Sequence, residues 1–279
     1  MLNHAIDISK FKMHGVYEIS SDEYHSSEGI SRSALMHFIK TPYHYFNEFI
    51  NNNSLRTIKD SESIKIGSLF HTYILEPEKL DERYTICEKR DRRTKDGKEY
   101  YDKLTLISKG KELINSDDFE KVKLMADTIL KDDQIKELIN GAKYEKSLYW
   151  TDKNTELLCK VRPDIWHNNF ICDIKTTISA DYRNFQRSLY IYGYHIQCAM
   201  IYEAFKNIFN IEMTNFIFIV VENTWPHAFA IYQLDELALE QSVSIFKNKL
   251  LELKQCFDKK EWPSYKTQLI TLPNYILGE

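Results

Sequence analysis

Between residues 146 and 177 the chain carries three short apolar runs, "KSLYWT" (146–151), "ELLCKVRPDIW" (156–166) and "FICDIKTT" (170–177). They are rich in β-branched, aromatic and aliphatic residues and short enough for strands. The polar triplet His167-Asn168-Asn169 makes the last two a hairpin. That pairing places Asp164 and Asp173 beside or inside apolar runs, with Lys175 two residues after the second aspartate. Side chains alternate along a strand, so Asp173 and Lys175 share one face, with Ile174 opposite. The hairpin brings Asp164 alongside.

Helical patterns flank this strand group. Ser31 or Ser33 is placed to cap a helix in which Leu35, Phe38 and Ile39 recur at helical spacing. Thr41-Pro42 interrupts, and a second helix runs from Pro42 to about Ile50. Ser63 to Leu75 has mixed helical periodicity, and Ser116 caps a helix carrying Val122, Met125 and Ile129. Residues 181–209 read as helical with a break near Gly193. Two more strands follow at 216–223 and 227–234, then a long amphipathic helix at 235–257. The order is that of a mixed α/β domain. With no repeat, no low-complexity tract and only 8 Gly and 6 Pro, the 279 residues read as one domain. Its parts are a helical N-terminal portion (1–60), a core (about 61–234) and a C-terminal helix and tail (235–279).

Composition excludes some classes. No stretch approaches the ~20 apolar residues of a membrane span. The start, "MLNHAIDISKFKMHG", lacks the basic-then-apolar pattern of a secretory signal, so a cytoplasmic location is expected. The five cysteines are scattered without a C-x-x-C pair, which argues for reduced thiols and against a zinc or iron–sulfur cluster. A net charge of -4 gives no bulk nucleic-acid coat, although local patches set the field a ligand meets. One patch runs from Glu88 to Lys103 and packs Lys89, Arg90, Arg92 and Arg93 into five residues. It is either a solvated loop or a basic surface.

The D/E-x-K triplet occurs four times, at 96–98, 173–175, 252–254 and 258–260. Only Asp173-Ile174-Lys175 follows an apolar β run and has a Pro-Asp nine residues upstream. Two carboxylates converging on one point repel and lose hydration, so they need a cation or protons between them. Such oxygen donors suit Mg²⁺ or Mn²⁺. A lysine beside that metal orients or deprotonates water and stabilises charge on a phosphate, as in metal-assisted phosphodiester hydrolysis. The plainer alternative is an Asp173–Lys175 salt bridge at a sheet edge, with Asp164 as a turn residue. Three further polar residues lie in suggestive places. His71 follows Gly67 by one helical turn, Glu145 precedes the first strand, and Gln197 sits among apolar residues of a helix, where a buried amide needs a partner.

Taken in order, these pieces resemble the nuclease domain of RecE-type exonucleases (exonuclease VIII), a phage-borne branch of the PD-(D/E)XK superfamily. That family's pattern runs G-x-x-x-H, Glu, R-P-D, D-x-K-T-T and Y-H-x-Q. The chain has Gly67–His71, Glu145, Arg162-Pro163-Asp164, Asp173-Ile174-Lys175-Thr176-Thr177 and Tyr194-His195-x-Gln197. The stretches "GVYEISSDEYHSSEGISRSAL", "LEPEKLDERY", "RRTKDGKE" and "EWPSYKTQLITLP" extend the likeness from about Gly15 to Pro273. The chain departs where related nucleases place a tyrosine four residues after the glutamine; here that position is Ile201, with Tyr202 next to it.

The resemblance implies a restriction-endonuclease-like α/β core, a central mixed sheet flanked by helices. It implies Asp164 and Asp173 as metal ligands joined by the Ile174 backbone carbonyl, with His71 and Glu145 completing the metal site or forming a second. Lys175 activates the attacking water or steadies the transition state, and Gln197 orients it. The cofactor is Mg²⁺, with Mn²⁺ substituting. Family members digest linear double-stranded DNA from the 5′ end and leave a 3′ single strand for a RecT-like annealing recombinase. They form closed rings, here a trimer or tetramer, and work in the bacterial cytoplasm as phage or prophage products. Two site expectations go beyond the resemblance. Ser31-Arg32-Ser33 at a helix N-terminus offers N–H groups, hydroxyls and a guanidinium for a 5′ phosphate, or simply caps the helix. Arg90, Arg92 and Arg93 guide the duplex backbone, making binding salt-sensitive. A structure-specific or defence-related DNA endonuclease on the same fold, and a DNA-binding module without catalysis, stand as alternatives.

Overall fold

The structure, a computed structural model, describes residues 14–51 and 62–271. The segment read above for a leader lies outside the described residues through Met13, as does Pro273. The chain opens with β1 (Gly15–Tyr17) and α1 (Ser21–Ser26), which is closed by reciprocal Ser20 and Glu23 capping bonds. α2 (Arg32–Lys40) begins at Ser31, whose hydroxyl accepts from the Ala34 N–H, so Ser31 and not Ser33 is the cap. Thr41 ends α2 in extended backbone and caps α3 (Pro42–Tyr45), where proline at the first helical position gives up an N–H the helix does not need. A π-helical turn over Phe46–Ile50 completes the second expected helix.

α4 (Glu62–Leu75) and α5 (Leu80–Arg83) lead into β2 (Tyr84–Cys87). α6 (Lys95–Ile107) then separates β2 from its parallel partner β3 (Glu112–Asn115). The charged run is therefore a loop only as far as Thr94, whose hydroxyl caps α6. α7 (Ser116–Ile129) has Asn115 at its cap position, so Ser116 is the first helical residue. α8 (Asp133–Ile139) follows, capped by Asp132.

The β portion keeps the expected hairpin turn at 167–169 but shortens its first strand. β4 (Lys143–Tyr144), β5 (Ser147–Thr151), β6 (Leu158–Val161), β7 (Ile165–Trp166) and β8 (Ile171–Thr177) come in succession. The run 156–166 is not one strand. β6 pairs antiparallel with β5 in a three-stranded sheet of order β1-β5-β6. β7 pairs with β8 in another sheet, and only Ile165–Cys172 and Trp166–Ile171 face each other. The break falls at Arg162-Pro163-Asp164, where proline has no N–H to give a ladder. α9 (Tyr182–Ile191), α10 (Tyr194–Phe209), β9 (Phe216–Glu222), β10 (Phe229–Gln233) and α11 (Glu236–Lys259) finish the described chain. β9 joins β8 in parallel and β10 antiparallel, giving a five-stranded sheet of order β10-β9-β8-β7-β4. The break in the predicted 181–209 helix sits at Gly193. Its φ of 67° favours glycine, and a Cβ there would come 2.3 Å from Met36 Sδ.

Alternation along β8 and β9 builds a core on each face of the sheet. Ile171, Phe216, Phe218 and Val220 pack with α2, α10 and α11. Cys172, Ile174, Ile219 and Val221 pack with α4, α7 and α8. The result is a mixed α/β fold with helices on both faces of a central mixed sheet. Among the described residues no helix is long and apolar enough to cross a membrane.

Candidate active site

The site forms where the sheet is left open. β7 reaches only the first two residues of β8, so among the described residues β8 from Asp173 onward has a strand neighbour on the β9 side alone. The opening is filled by Asp164, the residue just before β7. Its Oδ2 accepts the Ile174 N–H at 2.9 Å, replacing the ladder bond that Pro163 interrupts. The N–H and C=O of one strand residue point to the same side, so the Ile174 carbonyl faces this opening too. Its side chain lies in the core on the α4 face, fully buried.

A second kink meets the first. Between β4 and β5, Glu145 adopts a left-handed backbone with φ 51°, and its N–H donates to the Asp164 carbonyl at 3.1 Å. A non-glycine residue held there costs about 1–3 kcal/mol, a strain found where a side chain must be re-aimed. The carboxylate is turned toward Asp164, and Arg162 donates Nε to its Oε2 at 2.6 Å. From α4, His71 Nδ1 comes within 3.4 Å of Asp164 Oδ2. One ligand atom each from His71, Glu145 and Asp164 lies within 4.8 Å of the others. Burial, and then the Asp164 charge, push the Glu145 carboxyl up to about 7.

On the α10 face of β8, Asp173 and Lys175 share a side as the alternation requires, and they form an ion pair. Gln197 Nε2 donates to Asp173 Oδ1 at 2.9 Å. The partner that the buried amide needs is thus Asp173. Burial and then Asp164 raise the Asp173 carboxyl, with Lys175 opposing. Asp173 Oδ2 is buried and accepts no well-aligned hydrogen bond, although the Lys175 ammonium adjoins it. The ammonium also sits 4.8 Å from the centre of the Tyr194 ring. Burial disfavours its charge, but Asp173 and Asp164 outweigh burial and raise its pKa. Held as an ammonium against Asp173, Lys175 is placed to stabilise negative charge.

Residues 31–272 match the PDDEXK-like domain of unknown function DUF3799. The chain belongs to this PDDEXK-like family. Its fold is similar to the crystal structure of a "putative exonuclease" from Eubacterium rectale, with a TM-score of 0.60 and 14% identity over 94% of this chain and 98% of that chain. At that identity the likeness shows the fold alone. A second solved structure, SSO0001, reaches a TM-score of only 0.30 at 16% identity over 66% of this chain and 85% of that one, and carries no argument. No curated protein matches in sequence.

In this PDDEXK-like chain the donor set is two or three carboxylates, one imidazole and one backbone carbonyl. That set fits an oxygen-preferring divalent ion, and the imidazole is compatible with Mn²⁺ as well as Mg²⁺. The ill-satisfied Asp173 oxygen and the raised Glu145 carboxyl are the marks of negative charge gathered without enough compensation. His71, Glu145 and Asp164 converge directly, while Asp173 is turned to Lys175 and Gln197.

His71, Glu145, Asp164, Ile174, Lys175 and Gln197 line a cleft of about 540 Å³, whose walls also include Ser31, Arg32 and Ser33, while Asp173 is buried and is not in its wall. Ser31 Oγ lies 3.1 Å from Ser33 Oγ, and Arg32 Nη1 donates to the Tyr192 carbonyl at 2.5 Å. The N-terminus of α2 therefore opens into the same cleft as the carboxylates. Arg90, Arg92 and Arg93 do not line it. Arg90 pairs with Glu88 and Asp96 and Arg93 with Asp91, while Arg92 stacks 4.0 Å from the Tyr101 ring centre. Half of that basic run's charge is thus answered by neighbouring carboxylates. The spacing argument missed Arg162 and Tyr194 as site residues, although both stand inside quoted motifs. It also passed over Glu76, a buried cleft carboxylate paired with Lys79 and Arg83, which together hold its pKa down against burial. The dipeptide Arg162-Pro163 carried the one available signal: an arginine beside a strand-breaking proline is free to reach sideways.

Proposed function

We propose that this chain is a Mg²⁺-dependent exonuclease that degrades linear double-stranded DNA from the 5′ end and leaves 3′ single strands for strand-annealing recombination. The observation that carries the reading is the meeting of His71, Glu145 and Asp164 at one point, with the Asp173–Lys175 pair on the same strand. A catalytically silent DNA-binding module has no use for that much buried, mutually repelling charge. The exonuclease name of the Eubacterium rectale neighbour and the RecE-type motif order support the same choice.

In this reading His71, Glu145, Asp164, Asp173 and the Ile174 carbonyl hold the metal, which when bound polarises a phosphate oxygen and lowers the pKa of water. The water oxygen bonds to phosphorus as the bond to the 3′ oxygen breaks. Lys175 neutralises charge that grows on the phosphate oxygens, and Asp173, Tyr194 and Gln197 fix where its ammonium sits. Arg162 keeps Glu145 aimed inward. Ser31, Arg32 and Ser33 receive the terminal 5′ phosphate at the mouth of α2, and Arg90, Arg92 and Arg93 meet the duplex backbone farther out. A closed ring, trimer or tetramer, threads the duplex, and a RecT-like recombinase takes the product strand in the bacterial cytoplasm.

The test is digestion of linear duplex labelled at either end, with Mg²⁺, Mn²⁺ or EDTA, beside a covalently closed circle. Early release of 5′ label as mononucleotide, abolished by EDTA and by Asp173→Ala, is the expected result. Nicking of the circle would replace the exonuclease with an endonuclease. Retained binding without cleavage would leave a binding module.

A further inference from the structure

A second groove, of about 860 Å³, runs on from the catalytic cleft. The two share Ile64, Lys175, Thr176 and Tyr194 as lining residues, so whatever occupies one meets the other. The far groove lies between the C-terminal end of β8, with the residues just after it, and one face of α9. Three kinds of side chain line it. Thr176, Thr177, Ser179, Asn184 and Ser188 bring hydroxyl and amide groups, of which Thr177 donates to the Ser179 carbonyl and Ser179 and Asn184 donate to Asp181. Ile178, Ile191 and Tyr192 are large and apolar or aromatic, yet 78%, 49% and 56% exposed. Arg187 supplies a cation, and it makes no ion pair or side-chain hydrogen bond among the described residues.

Among the described residues no aspartate or glutamate lines this groove, whereas the adjoining catalytic cleft has three, Glu76, Glu145 and Asp164, in its wall. A wall without carboxylates, with one uncommitted arginine and a row of hydroxyls, tolerates a polyanion. Phosphates alone do not account for the exposed Ile178, Ile191 and Tyr192. A duplex presents its phosphates and hides its base faces. A single strand presents both, and aromatic or apolar side chains beside a basic groove are the usual means of holding one.

We propose that this groove binds an unpaired DNA strand, with bases against Tyr192, Ile191 and Ile178 and phosphates against Arg187 and the hydroxyls. Its link to Lys175 makes that strand continuous with the one being cut, or with its partner. The inference rests on the nuclease reading of the cleft and adds where an unpaired strand lies beside the scissile phosphate. The groove is thus a positioning surface rather than part of the chemistry.

The experiment measures anisotropy of a labelled oligothymidine of about 12 nucleotides, and of a blunt duplex, in EDTA with wild type and with the Arg187→Ala/Tyr192→Ala protein. Both side chains are exposed, and circular dichroism with thermal melting verifies that the variant folds. The expected result is a loss of single-strand affinity of roughly ten- to a hundredfold, the scale of one stacked base and one phosphate contact. Blunt-duplex affinity changes less than about threefold. In parallel, an oligonucleotide carrying iododeoxyuridine crosslinks to the Ile178 or Ile191–Tyr192 peptides of the wild type. Equal losses on both substrates, or a loss on neither, would overturn the proposal. So would a variant that dissociates into smaller species in sedimentation while binding DNA normally, because the groove would then belong to a second copy of the chain. Wild type that cleaves linear duplex while the variant binds the single strand unchanged removes the groove alone. Wild type that cleaves nothing, yet shows the selective loss, removes the nuclease reading and keeps the groove.

Discussion

In α11, Glu252-Leu253-Lys254 repeats the acid-x-lysine spacing of Asp173-Ile174-Lys175 in β8, and the two triplets behave in opposite ways. On the helix, residues two apart point away from each other. Glu252 accordingly pairs with Lys249 at 2.7 Å, and Lys254 pairs with Asp258 at 2.5 Å. Both pairs are partly solvated. On the strand, residues two apart share a face, so Asp173 and Lys175 meet each other. They do so buried, beside a second aspartate. A triplet is only a spacing until the backbone period is known; the strand turns it into a site and the helix into surface.

The largest contrast is in cleavage. Asp173→Ala lowers the rate on linear duplex by roughly 10³-fold, the scale for a group acting in the transition state, while Glu252→Ala leaves it within about twofold. Equal effects from the two would end the comparison.

The next concerns protons. Glu145 in the folded state has its pKa at about 7, above its ordinary 4.5. The folded protein then holds more protons than the unfolded chain between those values. Its contribution to stability is full below about 4.5 and is lost as pH rises through about 7. Without divalent metal, wild type minus Glu145→Gln stability falls across that window by no more than about 3 kcal/mol. Denaturant melts at several pH values measure it, and a flat difference would show that the carboxylates are not gathered as described. Added metal, which needs the ionised carboxylate, weakens this pH dependence.

Smaller again are the residues that hold others. Gln197→Ala and Arg162→Ala each reduce metal affinity or activity about 10- to 100-fold, read as a metal titration of the cleavage rate. The matching change in the helix, Lys249→Ala, removes Glu252's partner and leaves the rate unchanged. Its stability cost, read in a thermal melt, is the smallest effect, about 0.2–0.5 kcal/mol.

Much of this was legible in the residues. The apolar runs gave β5, β8, β9 and β10, and helical spacing gave α2, α7 and α11, because each buries a regular face. Gly193 marked its break for a backbone reason that sequence displays. What was hidden came from neighbours distant in the chain. The single strand expected over 156–166 is split, because β6 ends before Pro163 and only Ile165–Trp166 form the expected hairpin with β8, a choice made by β5 and β8 rather than by the local sequence. Gln197's partner was not legible because an amide's direction depends on where α10 crosses β8. The short parallel pair β2–β3 and helix α8 carry too few periodic residues to announce themselves. Of the candidate site, the motif order named His71, Glu145, Asp164, Asp173 and Lys175, and all of them but the buried Asp173 line one cleft. It had no means of separating them into a convergent three and a lysine-bound aspartate.

The bond between the Ile174 N–H and Asp164 has a spectroscopic consequence. An amide proton in mid-strand is ordinarily shielded by a backbone carbonyl whose charge never changes. This one is held by a carboxylate whose charge changes when it gains a proton or a cation. Its chemical shift and exchange rate therefore report on the state of Asp164 from inside the site. With nitrogen labelling alone, a single backbone resonance becomes a gauge of occupancy. It needs no foreign probe, and it works in a protein that is not turning over.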